Sequence, residues 1–179
     1  ATVVQNTTGE KNIAVGNYCL DNSTTASNNT AAGYAALGDT TTANNNCAFG
    51  YYALKSNTTG NDNIAVGAYT LDANTTGTYN TAVGKGALSA NTTASNNVAV
   101  GYRAGFSTTT GGNNVFVGWK SGIENTIGSE NIAIGEEALS SNTEGGANVA
   151  VGEKSAWSNT TGNYNIAIGR DALKSGTTS

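Results

Sequence analysis

Glu136 and Glu153 stand 17 residues apart, and Arg170 follows at the same interval. Two carboxylates are the minimum equipment of a glycoside hydrolase, one acting as acid and the other as base or nucleophile. The adjacent positions give a plainer account. Lys120, Glu137, Lys154 and Asp171 recur at the same 17-residue interval, and their signs alternate. Opposite charges stacked on successive turns of a repeat make a surface ladder worth about 0.2–1 kcal/mol per pair. The ladder is the reading adopted, and no catalytic residue is assigned. The chain contains no His, which excludes serine triads and His-based metal sites. Gly111-Gly112-Asn113-Asn114 lacks the Asp of a calcium-binding nonapeptide. Gly84-Lys85-Gly86 lacks both the spacing and the Ser/Thr of a phosphate-binding loop. Neither a cofactor nor a metal is expected.

The aromatics are the better candidates for binding. Tyr34, Tyr51, Tyr102 and Trp119 hold, in earlier repeats, the position that Glu136 holds later, and Tyr18, Tyr52 and Tyr69 hold the position after it. Flat aromatic faces among Asn and Thr suit sugar rings, so Tyr34, Tyr51, Tyr102 and Trp119 are the candidate ligand-binding residues. The simpler alternative is a stacking column between repeats, or packing at a subunit interface.

What positions these residues is a strict period. Gly16, Gly33, Gly50, Gly67, Gly84, Gly101, Gly118, Gly135, Gly152 and Gly169 are each 17 residues apart. Four residues before each stands an asparagine: Asn12, Asn29, Asn46, Asn63, Asn80, Asn97, Asn114, Asn131, Asn148 and Asn165. A fixed period of this length marks a stack in which each repeat is one turn. The expected fold is all-β, a parallel β-solenoid of ten 17-residue coils, with residues 1–179 as a single repeat domain.

Counting slots from the glycine as zero, the consensus is Asn(−4), Ile/Val/Thr(−3), Ala(−2), Val/Ile(−1), Gly(0), Ala(+3), Leu(+4) and Asn-Thr-Thr-Gly from +7 to +10. Slots −4 to −1 read as a short strand, because β-branched residues alternate with small ones. Gly(0) permits a bend or a close approach, and Asn-Thr-Thr-Gly is turn chemistry. The Asn(−4) column is expected to form the main hydrogen-bonded ladder from layer to layer. Both strand faces are selected, one for apolarity and one for smallness, so both are expected to be covered. The β-branched face is expected to fill the coil, and the alanine face to meet another chain closely. Leu(+4) is lost at Gly105, Gly122 and Ala156, and the following residues are Phe106, Ile123 and Trp157. The plug is expected to move one place in those repeats. Cys19 and Cys47 read as small core residues. They stand in different slots of coils two apart, roughly 10 Å along the stack at about 4.8 Å per layer, too far to be bridged.

The few apolar side chains of one coil cannot by themselves offset the backbone entropy lost in ordering its 17 residues. Ladders between coils and burial of the second face must supply the rest, which argues for an oligomer.

Asn-Ile-Ala-Val-Gly-x-x-Ala-Leu, approximated at Asn12 to Leu20 and Asn80 to Leu88, resembles the head repeats of YadA-like trimeric autotransporter adhesins. It is also similar to the 17-residue arrays of bacteriophage tail fibres, which share the Asn-Thr-Thr-Gly spacer. The resemblance covers essentially the whole chain. It implies a left-handed β-roll in a homotrimer, displayed outside the cell, on a virion tail fibre or a bacterial surface. It implies a structural and adhesive role, with sister chains as partners and a cell-surface glycan or protein as receptor. The adhesin repeats are usually a few residues shorter and lack the spacer.

Three other readings remain open: a self-assembling filament joined end to end, a glycan-degrading fibre, and an ice-binding face of threonine columns. The chain runs from slot +2 to slot +10 without a capping sequence, so it is expected either to belong to a longer fibre or to join end to end. The net charge of −4 argues against nucleic acid, which needs a basic stripe. No apolar run approaches the roughly 20 residues of a membrane span. Seven Asn-x-Ser/Thr sequons fall out of the repeated turn, at Asn6, Asn22, Asn28, Asn57, Asn74, Asn91 and Asn159, and imply glycosylation only weakly.

Overall fold

A computed structural model describes residues 5–175. Its regular structure is ten three-residue strands: β1 (Ile13–Val15), β2 (Thr30–Ala32), β3 (Cys47–Phe49), β4 (Ile64–Val66), β5 (Thr81–Val83), β6 (Val98–Val100), β7 (Val115–Val117), β8 (Ile132–Ile134), β9 (Val149–Val151) and β10 (Ile166–Ile168). They form one sheet in sequence order. Every pairing is parallel and offset by one repeat, so Ile13 faces Thr30, Cys47 faces Ile64, and Ile166 faces Val149. This is a β-solenoid in which each 17-residue period makes one coil. The ladder continues outside the strands: Leu37 N–H donates to the Ala53 carbonyl, Asp39 N–H to that of Lys55, and Asn45 N–H to that of Ser27. The coil-to-coil bonding thus satisfies backbone groups that a short strand alone would leave open.

Three corners turn the chain within each coil. Slots −5, +2 and +4 all have positive φ, and 27 of these residues are not glycine. Tyr52 (φ 59), Leu54 (φ 51) and Asp62 (φ 58) show the set for one stretch of chain. Isolated left-handed residues cost energy in any L-chain, and the stacked ladder holds them in place here. Gly(0) is different. Its φ is 115–140°, and a Cβ there would come under 3.0 Å from the next coil's glycine in every coil but the last.

The strand faces are the reverse of the expectation. The alanines at slot −2 are the interior: Ala31, Ala48, Ala65, Ala82, Ala99, Ala133 and Ala150 are fully buried, with Leu37, Leu54, Leu71, Leu88 and Leu139 in the same core cluster. The β-branched residues point outward. Ile64, Val83, Val100 and Ile134 remain 37–42% exposed. A 17-residue coil is narrow, and the leucine from slot +4 takes most of its lumen. Only a methyl group fits beside it.

The plug does not move one place, contrary to expectation. Trp157 is 38% exposed, and Phe106 and Ile123 are only half-buried. The space left by two missing leucines is filled from the strand by Phe116, the one slot −2 residue that is not alanine and the largest fully buried side chain. A Cβ on Gly105 would sit 2.6 Å from its ring, and one on Gly122 would be closer still. Phe116, Gly105 and Gly122 are therefore one packing unit spread over two coils.

Two polar columns run through the buried turns. Each Asn(−4) side-chain oxygen accepts the backbone N–H of the next Asn(−4). The distance is 2.9 Å for Asn29 on Asn12 and 3.1 Å for Asn148 on Asn131, with no break between Asn12 and Asn165. From Asn12 to Asn148 each amide nitrogen also donates to the carbonyl of slot +10, as from Asn63 to Gly77 at 2.9 Å. A second column at slot +7 links Asn57 to Asn74 at 2.9 Å and Asn74 to Asn91 at 2.8 Å, and restarts from Asn125 to Asn142 at 2.8 Å. Thr108 interrupts it, and both Asn91 Oδ1 and Thr108 Oγ1 are buried without a hydrogen-bond partner. Thr108→Asn should rejoin the column and relieve a penalty of about 1–3 kcal/mol. The expected result is a higher denaturation midpoint; an unchanged or lower one would contradict this account of the column.

Candidate functional site

Slots +1 and +2 lie side by side on the outside of the coil, just past the Gly(0) bend. Because every coil presents them at the same height increment, successive side chains stack. Tyr34 and Tyr51 stack with ring centres 5.4 Å apart and planes 16° off parallel. Tyr52 packs against Tyr51 at 4.2 Å, and Tyr69 continues the group at 5.3 Å from Tyr51. Tyr18 meets Tyr34 edge-on at 5.4 Å. Hydrogen bonding with Tyr51 pushes the Tyr52 phenol above its ordinary pKa. Tyr102 and Trp119 form a second stack at 6.5 Å and 18°. Ala68 and Lys85 hold slot +1 between the two groups. Tyr34, Tyr51, Tyr102 and Trp119 are each 40–42% exposed. They are thus stacked on their own neighbours and open to solvent at once, so the stacking and binding readings coexist.

Two depressions break this aromatic face, and both arise where slots +2 and +5 are small. In the second coil, Ala35 and Gly38 leave a hollow of about 220 Å³ between Tyr18 and Tyr52. Its rim is polar: Lys55 Nζ bonds Asp39 at 2.9 Å, and the Asn22 amide donates to Asp39 at 3.3 Å. The Asp39 carboxylate holds the Lys55 ammonium above its usual pKa. In the fifth coil, Gly86 and Ser89 leave a hollow of about 320 Å³ beside Tyr69, Tyr102 and Phe106. Ser89 Oγ donates to Asp72 Oδ1 at 2.6 Å, and burial pushes the Asp72 carboxyl up. Neither hollow was assigned from the sequence. The signal was there, as a gap in the run of slot +2 tyrosines at Ala35 and again at Gly86.

Further along, the same face turns from aromatic to charged. Glu153 Oε2 lies 3.4 Å from Arg170 Nε, and Lys154 Nζ lies 3.8 Å from Glu137 and 3.9 Å from Glu153. Lys174 sits 2.8 Å from Asp171 and, with Arg170, lowers its carboxyl pKa. Glu153 is thus paired with two cations, one on its own coil and one on the next. No cluster of three or more His, Cys, Asp or Glu suited to a metal occurs among the described residues. Cys19 and Cys47 are free, and burial raises both thiols above their ordinary pKa.

The threonine columns divide. Slot +8 hydroxyls donate to the carbonyl of the next coil, as Thr41 does to Thr58 at 3.2 Å, whereas slot +9 residues such as Thr42, Thr59 and Thr76 are exposed. The sequons divide as well. Asn57, Asn74, Asn91 and Asn159 are buried, so a glycan there is incompatible with the folded coil.

No family model, curated protein or solved structure matches the chain. No helix among the described residues is long and apolar enough to cross a membrane.

Proposed function

We propose that the chain is a rigid segment of a trimeric adhesive fibre, a left-handed β-roll displayed outside the cell on a virion tail fibre or a bacterial surface. The observation that carries this reading is the outward strand face. Its twenty positions, at slots −3 and −1 of ten coils, contain Ile, Val, Thr, Ala, Cys and Phe and no charged residue. At roughly two-fifths exposure per side chain, they present on the order of 1,000 Å² of contiguous apolar surface, above the few hundred Å² of an ordinary monomer's largest patch. A strip so uniform fits a second copy of itself, since identical rungs at identical heights place β-branched side chains at matching levels. Parallel sister chains provide that match. The number three, the hand of the coil and the outside location rest on the resemblance to adhesin heads and fibre arrays. The fibre's working surface is then the aromatic and polar face at slots +1 and +2, which holds a receptor glycan or protein.

The strip is tested by placing charge on it. Val100→Lys with Ile134→Lys should leave the coil's interior intact, because both side chains point outward. The expected result is the same β-rich spectrum with a subunit mass of one chain. Assembly identical to the unmodified protein would show that this face is not the interface.

A further inference from the structure

The cations are unevenly partnered. Lys55, Lys154, Arg170 and Lys174 each lie within 4.0 Å of a carboxylate. Among the described residues Lys11, Lys85, Arg103 and Lys120 form no such pair, and the last three occupy slots +1, +2 and +2 of three consecutive coils. Aromatic rings hold two of them. The Arg103 guanidinium carbon lies 4.5 Å from the Phe106 ring centre and 5.8 Å from that of Tyr102, and Lys120 Nζ lies 4.1 Å from that of Trp119. In a chain of net charge −4, this is a local positive field on an aromatic surface. A cation over a ring keeps its full charge for a further partner.

The hollow of the fifth coil opens into that field, with Lys85 and Arg103 in its wall. Its depth comes from Gly86, whose φ of 70° is close to the 57° of Tyr69 in the same slot. A Cβ on Gly86 would come no closer than 3.5 Å to its nearest neighbours, Arg103 Cγ and a Phe106 ring carbon, which is ordinary contact. The backbone would accept a side chain there, and the sequence leaves it open. The other hollow has the same construction but carries a paired Lys55 and Asp39, with Asp21 beside them.

We infer that the hollow at Gly86 binds a carboxylated pyranose unit of an acidic glycan. The inference rests on the adhesive part of the proposed function and names the ligand class of its working face. Tyr69 and Tyr102 offer flat faces to the apolar side of a sugar ring. The Arg103 fork matches a planar carboxylate in two parallel hydrogen bonds, and Lys85 adds a point charge. Ser89 Oγ gives its proton to Asp72, so its lone pairs are left to accept from a sugar hydroxyl. The three cations span two coil intervals, about 10 Å at about 4.8 Å per layer. That is short for a nucleic-acid track, which needs a longer basic stripe.

The test is calorimetric titration of the intact chain with trigalacturonate and an oligosialate, with carboxyl-reduced trigalacturonate as the neutral control and a single-stranded DNA oligonucleotide as the competing polyanion. At least one acidic probe should bind, the neutral one about tenfold or more weakly, and added salt should weaken binding. Arg103→Gln should weaken acidic binding by about tenfold or more. Gly86→Tyr should abolish binding while leaving the thermal midpoint in place. Any one of four outcomes would overturn the inference: no binding of either acidic probe, equal binding of the neutral one, full binding by the Gly86→Tyr protein, or a preference for single-stranded DNA. Subunit mass is independent of all of these, so failure here leaves the fibre reading standing, and a monomeric chain leaves this site intact.

Discussion

Phe116→Ala is expected to destabilise the solenoid by about 3–5 kcal/mol. Its ring is fully buried and fills the lumen where two coils lack their leucine. Alanine is the consensus residue at this slot, so the substitution looks harmless by pattern. It is harmful here because the leucines that normally stand opposite are Gly105 and Gly122. Restoring them supplies the decisive arm. Gly105 and Gly122 have φ of 60° and 57°, close to the 50–53° of the leucines in the same slot. Leucine at either position alone collides with the Phe116 ring and should cost about 1–3 kcal/mol by overpacking. The triple variant Phe116→Ala, Gly105→Leu, Gly122→Leu rebuilds the consensus interior and should return to within about 1 kcal/mol of the starting protein, a strongly non-additive result. Denaturant melts of the four variants and the starting protein measure it. A triple variant no better than Phe116→Ala would disprove the coupled packing.

Gly101→Ala is expected to be as damaging for a different reason. Its φ of 135° is a conformation L-residues rarely adopt, and its Cβ would also overlap the backbone of Gly118 on the next coil. Backbone strain alone costs about 1–3 kcal/mol; the overlap adds to it by forcing two coils apart across the ladder. Gly169→Ala separates the two causes. Gly169 has φ 115°, but among the described residues no atom lies within 4 Å of the Cβ it would gain. It should show the strain without the overlap, so its loss of stability should be clearly the smaller. Equal losses would mean that close approach between coils is not what selects glycine at this slot.

Much of this was legible in the chain. The 17-residue period fixes the coil length, and β-branched alternation around Ala(−2) places the strands. The side of the strand that faces inward was not legible. Large apolar residues ordinarily define an interior, and by that habit Ile64 and Val66 belong inside and Ala65 outside. The coil is too narrow for that rule, because Leu71 and its equivalents already occupy the lumen. The correct signal was the fixed size of Ala(−2), which marks a site with no spare volume, against the tolerance of slot −3 for Ile, Val, Thr and Cys. The Phe116 unit was visible as two separate irregularities, one alanine lost and two leucines lost, and only their adjacency in space joins them. At the aromatic face, the stacking of Tyr34 on Tyr51 follows from the period alone. The hollow beside Arg103 does not, since it is made by what slot +2 lacks at Gly86.

The fibre reading depends on the outward strip of β-branched residues being hidden by copies of the same chain. Sedimentation equilibrium of the unmodified protein tests this most directly. The expected mass is three times the 18.0 kDa of one chain, constant across dilution. A stable, fully folded species of 18.0 kDa would contradict it.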